Sequence, residues 1–458
     1  MSFYNQVNRL PNMVDTSQES INLTFTILRK FNNFMELNGY RSADTPILEK
    51  ADLFLRKSGG AISSRLYQFN DPGGYETCLR PEFTSAIIRY ALSDPDVKVP
   101  ARICYFGPVF RYSKPGDTFS DLPRQFNQYG AEFVGNDSFI ADSEIVSLAY
   151  NSLKKVSSKQ VNIVIGDVGI IWLIANHFDL SDLSKMFLLE KIKDIKSRGK
   201  NSVLDQAVQL GLISKTNENI PIEKKDSLEN RLKTLEKLSQ SFELENNSYT
   251  RTSEDIIKRL TNKSNGTDKI SSFKDALNLI ADTINVRGNI EEAVKDLKGL
   301  WKDHKLSFKK ILMLEELVGL ISVMGVPKNQ ITVDLGLVRD VGYYSGMVFD
   351  IKAGSDNEII GGGGRYDGLS RDLGFKDIPA RGFAFDFNKI MNISNISLEK
   401  QEPIIIRPSG SSAIPEMIKY SESLRRKGIA CEIDYTGISS SENRQVLYIN
   451  SSGAVVEK

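Results

Sequence analysis

Two arginines bracket a polar loop between two runs of β-forming residues. Arg111 closes the first run and Arg124 precedes the second, with proline and glycine between them. The pattern predicts a strand-loop-strand hairpin that directs both guanidinium groups at one anion, for which a nucleotide phosphate is the natural candidate. Gln128 and Glu132 are four positions apart, so an extended strand places both on one face. An amide and a carboxylate there can bind an amino group or an imidazole N–H, although a hairpin with these residues is more often a solvated surface.

Length and composition indicate several globular domains. The chain has 458 residues, of which 40% are hydrophobic and 26% charged, which predicts two or three domains. Its 59 basic and 58 acidic side chains nearly cancel, so no overall field attracts nucleic acid or an anionic membrane. Any contact with RNA must therefore be local.

The few cysteines and histidines limit the disulfides, metal sites and catalytic triads that the chain can form. The three cysteines, Cys78, Cys104 and Cys431, match neither a disulfide framework nor a Cys-x-x-Cys metal pair. The two histidines, His177 and His304, are too few for a histidine-ligated zinc site or for Ser-His-Asp hydrolysis, and both are expected as surface or packing residues. The chain carries no signal-peptide pattern and no long apolar run. We therefore expect a cytoplasmic protein with no membrane role and no metal site.

Apolar spacing predicts a long first helix over residues 16–38, with a capping box formed by Thr16 and Glu19. Short β-rich runs follow, and they resume near residue 331 after a charged segment with helical spacing. The glycine run at 361–364 is typical of a turn. The predicted fold class is therefore α+β, with a mainly antiparallel sheet flanked by helices, a helical insertion and a small βαβ-like tail.

The same changes in pattern predict four segments. Residues 1–170 form the first part of the core, and residues 326–397 form its second part. Residues 171–325 form the helical insertion, to which the sequence assigns no function. Residues 398–458 form the C-terminal tail.

The hairpin segment resembles motif 2 of class II aminoacyl-tRNA synthetases, in the form found in histidyl-tRNA synthetase. In that family an arginine opens the loop and Arg-Gln-Phe-x-Gln closes it, as residues 124–128 do here. The resemblance implies a class II synthetase-like antiparallel sheet. It also implies that Arg111 and Arg124 contact the phosphates of ATP, and that Gln128 and Glu132 contact histidine.

Residues 79–84, Leu-Arg-Pro-Glu-Phe-Thr, resemble the family's Leu-Arg-Pro-Glu-Gly-Thr. In the family the glutamate and threonine hold the amino group of the substrate, so the resemblance implies this role for Glu82 and Thr84. Phe83 stands where the family has glycine.

Two downstream segments, residues 337–346 and 362–369, resemble the second histidine-specific motif and the Gly-Gly-Gly-Arg-Tyr-Asp-Gly-Leu hairpin of the same family. The resemblance places Arg339 against the carboxylate and α-phosphate, so that Arg339 and Arg111 would be catalytic in a ligase. It further implies an imidazole pocket lined by Tyr343, Tyr344 and Tyr366.

Two departures from the family pattern concern ATP and tRNA. Lys389 stands where the motif 3 arginine is expected, so it is a third candidate ATP ligand that keeps the charge without the planar fork. Residues 398–458 resemble the start of the anticodon-binding domain but stop after about 60 residues. This truncation argues against specific tRNA binding.

These departures favour a non-catalytic paralogue, the regulatory subunit of ATP phosphoribosyltransferase. Such a protein binds histidine and the short-form catalytic subunit in the first step of histidine biosynthesis. The alternative is a histidine–tRNA ligase, which Arg339 favours. A third possibility, another amino-acid-binding role, stays open.

The two main hypotheses differ in what the chain would need. A regulatory subunit requires no cofactor, whereas a ligase uses ATP with Mg²⁺. The chain is therefore an enzyme under the second hypothesis only. Under either hypothesis the family resemblance implies a homo-oligomer.

Overall fold

The computed structural model of the chain describes residues 7–56, 60–113, 122–214, 268–339, 343–354, 357–398, 402–436 and 444–456. They belong to two compact units, Met1–Ile396 and Ser397–Lys458. The tip of the predicted hairpin loop, residues 114–121, and residues 215–267 of the predicted insertion lie outside the described residues.

The described helices are distributed along both units. No helix in the described residues combines the length and apolar character required to cross a membrane. In chain order they are α1 (Gln18–Leu37), α2 (Asp52–Leu55), α3 (Gly60–Ser63), α4 (Thr84–Ser93), α5 (Phe139–Lys154), α6 (Val168–His177), α7 (Asp182–Glu190), α8 (Ile192–Arg198), α9 (Lys200–Gln209), α10 (Ile270–Thr283), α11 (Ile290–Lys302), α12 (Lys309–Val323), α13 (Leu369–Asp372), α14 (Phe387–Ile393) and α15 (Ile414–Arg426), with short 3₁₀ turns at Lys328–Gln330 and Ser411–Ala413.

The described strands form one large sheet and several smaller ones. They are β1 (Arg41–Ser42), β2 (Leu48–Lys50), β3 (Tyr67–Asn70), β4 (Glu76–Leu79), β5 (Ala101–Phe110), β6 (Gln125–Val134), β7 (Val161–Asp167), β8 (Ile213–Ser214), β9 (Asp268–Lys269), β10 (Arg287–Gly288), β11 (Ile331–Asp334), β12 (Met347–Ala353), β13 (Glu358–Arg365), β14 (Ala380–Asp386), β15 (Ile404–Pro408), β16 (Cys431–Ile433), β17 (Val446–Ile449) and β18 (Val455–Val456).

The large sheet of the first unit has the described strand order β1-β5-β6-β14-β13-β12-β7-β11-β10. Pairs β1/β5 and β7/β11 are parallel, and the other neighbouring pairs are antiparallel. Helices flank this sheet, so the predicted α+β class with a mainly antiparallel sheet is confirmed. A three-stranded sheet, β2-β4-β3, precedes α4.

The first helix is present, but its N-terminal cap differs from the prediction. The Ser17 hydroxyl accepts the Ser20 N–H at 3.3 Å, so the predicted capping box of Thr16 and Glu19 is wrong. The buried stripe is Ile27, Phe31 and Met35, which are spaced four apart and therefore share one face. Phe31 packs against the sheet through Tyr129 with ring centres 4.8 Å apart.

The glycine run predicted as a turn lies inside strand β13, so that prediction is wrong. The run pairs with β12 on one side and β14 on the other. A Cβ atom at Gly363 would lie 2.7 Å from the Cα of Phe383, and one at Gly364 would lie 2.9 Å from the Tyr344 ring. The glycines are therefore needed because they have no side chain, and not because they reverse the chain.

The segment predicted as a helical insertion contains α7 to α12, together with short strands. Ile213 pairs with Asp268 in the parallel β8/β9 contact, and β10 pairs with β11 at the edge of the large sheet. Its helices pack through buried apolar side chains that include Phe273, Leu297 and Trp301. The described part of this segment thus belongs to the same compact unit as the core.

The second unit contains the predicted strand-helix-strand pattern. Strand β15 pairs in parallel with β16, and α15 connects them along the chain, so the predicted βαβ arrangement is confirmed. Strands β17 and β18 complete the described sheet. Its buried core consists of Ile406, Met417, Leu424 and Ile449.

We predict that Gly363→Ala lowers the free energy of unfolding by about 1–3 kcal/mol, because the added methyl group meets the backbone of β14. Gly299→Ala is the matched control, since Gly299 lies in α11 with open space around it. The control is expected to raise the free energy of unfolding by about 0.5–1 kcal/mol. Urea denaturation measures both values, and a Gly363→Ala variant as stable as the control would contradict this account of β13.

Candidate functional site

A cavity of about 450 Å³ lies against the large sheet of the first unit. Arg124 and Glu132, two of the residues predicted for the site, are not part of its lining. The lining includes the other nine residues predicted from the sequence: Glu82, Thr84, Arg111, Gln128, Arg339, Tyr343, Tyr344, Tyr366 and Lys389.

Glu132 lies directly behind the cavity wall with no exposed surface. Its carboxylate accepts hydrogen bonds from the Thr84 hydroxyl at 2.8 Å, the Tyr105 hydroxyl at 3.0 Å and the Tyr366 hydroxyl. Thr84 and Tyr366 line the cavity, so Glu132 orients two side chains that face it. A side chain at Gly382, the β14 residue paired with Glu132, would overlap this carboxylate.

Burial raises the pKa of the Glu132 carboxyl well above its usual range. The hydroxyl groups of Thr84 and Tyr105 favour the charged form and oppose this shift, whereas the charge of Glu82 adds to it. The neutral form of Glu132 is therefore favoured over a wider pH range than for an exposed glutamate.

Glu82 is the second buried acid at this end of the cavity. Its carboxylate accepts the backbone N–H of Ser85 at 3.1 Å, in the first turn of α4. Burial raises the pKa of Glu82, and the Ser85 hydrogen bonds and the positive charge of Arg111 partly offset this effect. Glu82 thus faces the cavity with a carboxyl group that is poorly solvated.

Three tyrosines form an aromatic wall beside these acids. The ring centres of Tyr343 and Tyr366 are 5.4 Å apart, and those of Tyr343 and Tyr344 are 5.1 Å apart. The buried Oε1 atom of Gln128 has no hydrogen-bond partner within the described residues. A buried amide oxygen without a partner is costly, so it provides an acceptor for an N–H donor of a ligand.

Arg339 lines the cavity from the loop that precedes residues 340–342, which lie outside the described residues. Its guanidinium forms an ion pair with Asp350 and donates to the Phe349 carbonyl oxygen at 3.2 Å. A Cβ atom at Gly362 would overlap this guanidinium. The glycine of β13 therefore leaves the space that Arg339 occupies.

The two arginines of the predicted hairpin have different surroundings. Arg111 lines the cavity and donates from Nε to the Pro81 carbonyl oxygen at 2.9 Å. Arg124 donates to the Ser113 carbonyl oxygen at 3.2 Å and lies 4.9 Å from the Tyr112 ring centre. Arg124 thus contacts the segment that directly follows Arg111, and it lies outside the cavity lining.

Lys389 lies in α14 and reaches the rim of the cavity. Its ammonium group forms an ion pair with Glu358 at 2.8 Å and donates to the Ile359 carbonyl oxygen at 3.0 Å. Asp386 caps the same helix by accepting the Asn388 N–H at 3.1 Å. These contacts hold the ammonium group at the start of strand β13.

Sequence reasoning missed several charged lining residues: Arg65, Lys193, Asp350 and Asp386. None lies in a pattern that marks a site, since Arg65 precedes an ordinary strand and Lys193 lies in a helix of the predicted insertion. With the predicted residues they give the described lining five cations and three carboxyl groups. The excess of cations makes the cavity suited to an anionic ligand.

Comparison with known proteins identifies the family. The profile described as Histidyl-tRNA synthetase matches residues 12–246 and 244–390, which together exceed half of the chain. The chain belongs to the histidyl-tRNA synthetase family. The class II synthetase-like fold predicted from the four motifs is therefore confirmed.

Relatives match the chain well beyond the motifs. The protein named histidine–tRNA ligase from Methanocaldococcus jannaschii is 28% identical over 429 residues, which are 93% of this chain and 84% of that protein. Apo histidyl-tRNA synthetase from S. aureus superposes with a TM-score of 0.60 at 20% identity, covering 98% of this chain and 92% of that chain. A Bacillus halodurans protein titled ATP phosphoribosyltransferase regulatory subunit/histidyl-tRNA synthetase has a TM-score of 0.64 at 19% identity, covering 98% and 99%.

These comparisons overturn the regulatory-subunit hypothesis. The curated relatives from several archaea are named histidine–tRNA ligase and match about nine-tenths of the chain. The Bacillus halodurans structure is too distant in sequence to show more than the fold. The regulatory-subunit prediction rested on Lys389 and the short tail, and the match to ligases over about nine-tenths of the chain outweighs these two departures.

We predict that Glu132→Gln changes the pH dependence of stability. The folded-state pKa of Glu132 is raised, so its stabilising contribution is complete below the unfolded value of about 4.3 and is lost as pH rises toward the folded value. Glutamine removes this ionisation while keeping the shape. The free energy of unfolding of the variant, relative to the original protein, should therefore increase from pH 5 to pH 8. A pH-independent difference in urea denaturation would show that Glu132 is ionised in the folded chain.

Proposed function

We propose that this chain is a histidine–tRNA ligase, which activates histidine with ATP and transfers the histidyl group to tRNA. The observation that carries the proposal is the placement of Arg111 and Arg339 in one cavity with Glu82, Gln128 and the tyrosine wall. Guanidinium groups and buried polar acceptors in one cavity fit a reaction between an amino acid and a nucleotide phosphate.

In the first step a histidine carboxylate oxygen attacks the α-phosphorus of ATP, and pyrophosphate leaves. Negative charge increases on the oxygens around the α-phosphorus, and a guanidinium held beside them lowers the barrier. Arg339 suits this role because Asp350 and the Phe349 carbonyl oxygen fix its orientation before substrate binds. In the second step a terminal hydroxyl of tRNA attacks the activated carbonyl carbon, and AMP leaves.

Other lining residues suit the histidine side chain and amino group. Glu82 offers a buried carboxyl group, and Gln128 offers an amide oxygen without a partner in the described residues. Tyr343 and Tyr366, whose rings meet edge to face at 70°, supply apolar surface for an imidazole ring. Glu132 acts through Thr84 and Tyr366, whose hydroxyl groups it orients.

ATP brings Mg²⁺, which neutralises phosphate charge. Within the described residues no group of three or more histidine, cysteine, aspartate or glutamate side chains is placed to hold a metal ion. Protein-bound Mg²⁺ typically keeps its phosphate and water ligands and needs only one or two carboxylates. The lining carboxylates Asp350 and Asp386 fit that limited requirement.

The partners of this proposal are histidine, ATP and tRNA. The names of the archaeal relatives support tRNA as the acceptor. This replaces the expectation, drawn from the short tail and the balanced net charge, that specific tRNA binding is absent. A homo-oligomer remains part of the proposal by family resemblance.

We predict that the purified chain catalyses ATP–pyrophosphate exchange that depends on histidine and Mg²⁺, and that it charges tRNA with histidine. The reason is that the proposed first step is reversible, so labelled pyrophosphate enters ATP only when histidine is bound. Alanine and glutamine serve as control amino acids. A chain that binds histidine in calorimetry without exchange or tRNA charging would refute the ligase proposal.

We also predict that Arg339→Gln lowers kcat for exchange by about 100-fold or more, because one donor at the developing charge is lost. The KM for histidine should change much less. Arg371→Gln is the control, since Arg371 is largely exposed in α13 and pairs with Asp377. Equal kcat values for the two variants would remove Arg339 from the proposed chemistry.

A further inference from the structure

Arg65 is an arginine of the cavity lining that no family motif marks. It lies two residues before strand β3. Its Nε donates to the Tyr112 carbonyl oxygen at 3.0 Å, and its Nη2 donates to the Ser113 hydroxyl at 3.4 Å. The Tyr112 N–H donates back to the Arg65 carbonyl oxygen at 2.8 Å. These contacts fix Arg65 against the residues that directly follow Arg111.

Arg65 and Arg111 are close enough to affect each other electrostatically. The pKa of Arg111 is lowered, first by burial and then by the positive charge of Arg65. Two guanidinium groups that share a partly buried cavity repel each other, and an anion between them relieves this repulsion. The acids that act on Arg111, Glu82 and Asp386, both have pKa values raised by burial and are therefore weak counter-charges.

The other predicted phosphate ligands do not occupy this position. Arg124 is directed at the Ser113 carbonyl oxygen outside the lining, and Lys389 is paired with Glu358. A lysine also lacks the planar fork with which arginine binds two phosphate oxygens. Arg65, in contrast, lines the cavity and contacts the residues that follow Arg111.

We propose that Arg65 binds the triphosphate of ATP together with Arg111, and supplies the guanidinium that Lys389 cannot. The proposal rests on the ligase function proposed above and assigns this role to a residue outside the four motifs. Arg65 contacts the β- and γ-phosphates, which become the leaving pyrophosphate. It makes no contact with histidine, which Glu82, Gln128 and the tyrosine wall bind under the proposed function.

The competing explanation is that Arg65 only joins the β3 segment to the end of β5. In that case Arg65→Ala lowers stability and weakens all ligands alike. A phosphate-binding role instead affects ATP and pyrophosphate selectively. Arg65→Lys separates charge from shape, because lysine keeps the positive charge while losing the fork and the contact with Tyr112.

The test measures binding of inorganic pyrophosphate and of histidine by calorimetry, and the KM for ATP in exchange, in Arg65→Ala, Arg65→Lys and the control Arg371→Ala. In Arg65→Ala one charged hydrogen-bonding group is lost. We therefore expect pyrophosphate affinity to fall, and the KM for ATP to rise, by about 10- to 100-fold. Arg65→Lys should be intermediate. Histidine affinity should stay within about twofold in both variants, and the control should match the original protein.

Unchanged pyrophosphate affinity in Arg65→Ala overturns the proposal. An equal loss of affinity for histidine and for pyrophosphate overturns it as well. If Arg65→Ala does not fold, the same readings on Arg65→Lys decide. Failure of the ligase proposal gives a different pattern: the original chain then shows no histidine-dependent exchange, while selective loss of pyrophosphate binding in Arg65→Ala still supports an anion site at Arg65.

Discussion

The candidate site depends on a single buried carboxyl group. Glu132 lies in β6 and accepts hydrogen bonds from hydroxyl groups in α4, β5 and the loop after β13. One side chain therefore connects segments that are far apart in sequence. Such an acid is tolerated only if its hydrogen bonds are complete, because burial penalises its charge. The arrangement also requires Gly382 on the neighbouring strand, where any side chain would overlap the carboxylate. Two cavity-facing hydroxyl groups, on Thr84 and Tyr366, take their positions from Glu132.

Glycines, which have no side chain, shape the rest of the cavity in the same way. Gly362 leaves room for the Arg339 guanidinium, and Gly364 leaves room for the Tyr344 ring. Strand β13 therefore contributes space, and the functional groups come from the segments around it. The cavity thus brings a buried acid, tyrosine rings and guanidinium groups together in one lining. A polar amino acid and a nucleotide phosphate can then be held side by side in one reaction volume.

Sequence patterns predicted the α+β sheet, the first helix and nine lining residues, because apolar spacing and family motifs encode local structure and identity. They could not show that Glu132 is buried behind the cavity wall, since its partners Thr84 and Tyr366 are 48 and 234 positions away in the sequence. The glycine run was misread as a turn because its purpose depends on what packs across it. Arg65 carries no motif, and only its contacts with Tyr112 and Ser113 place it beside Arg111. Lys389, a single substitution, favoured the regulatory-subunit hypothesis, which the match to a ligase over 93% of the chain contradicts.

The central claim is that histidine and nucleotide occupy one continuous cavity. The most direct measurement is calorimetric binding of 5′-O-(N-histidyl)sulfamoyladenosine, a stable mimic of the activated amino acid, compared with histidine and AMP measured separately. Joining the two ligands removes most of the entropy cost of the second binding event, so the account predicts affinity at least about 100-fold tighter than that for histidine alone. An affinity no tighter than the better of the two separate ligands would contradict it.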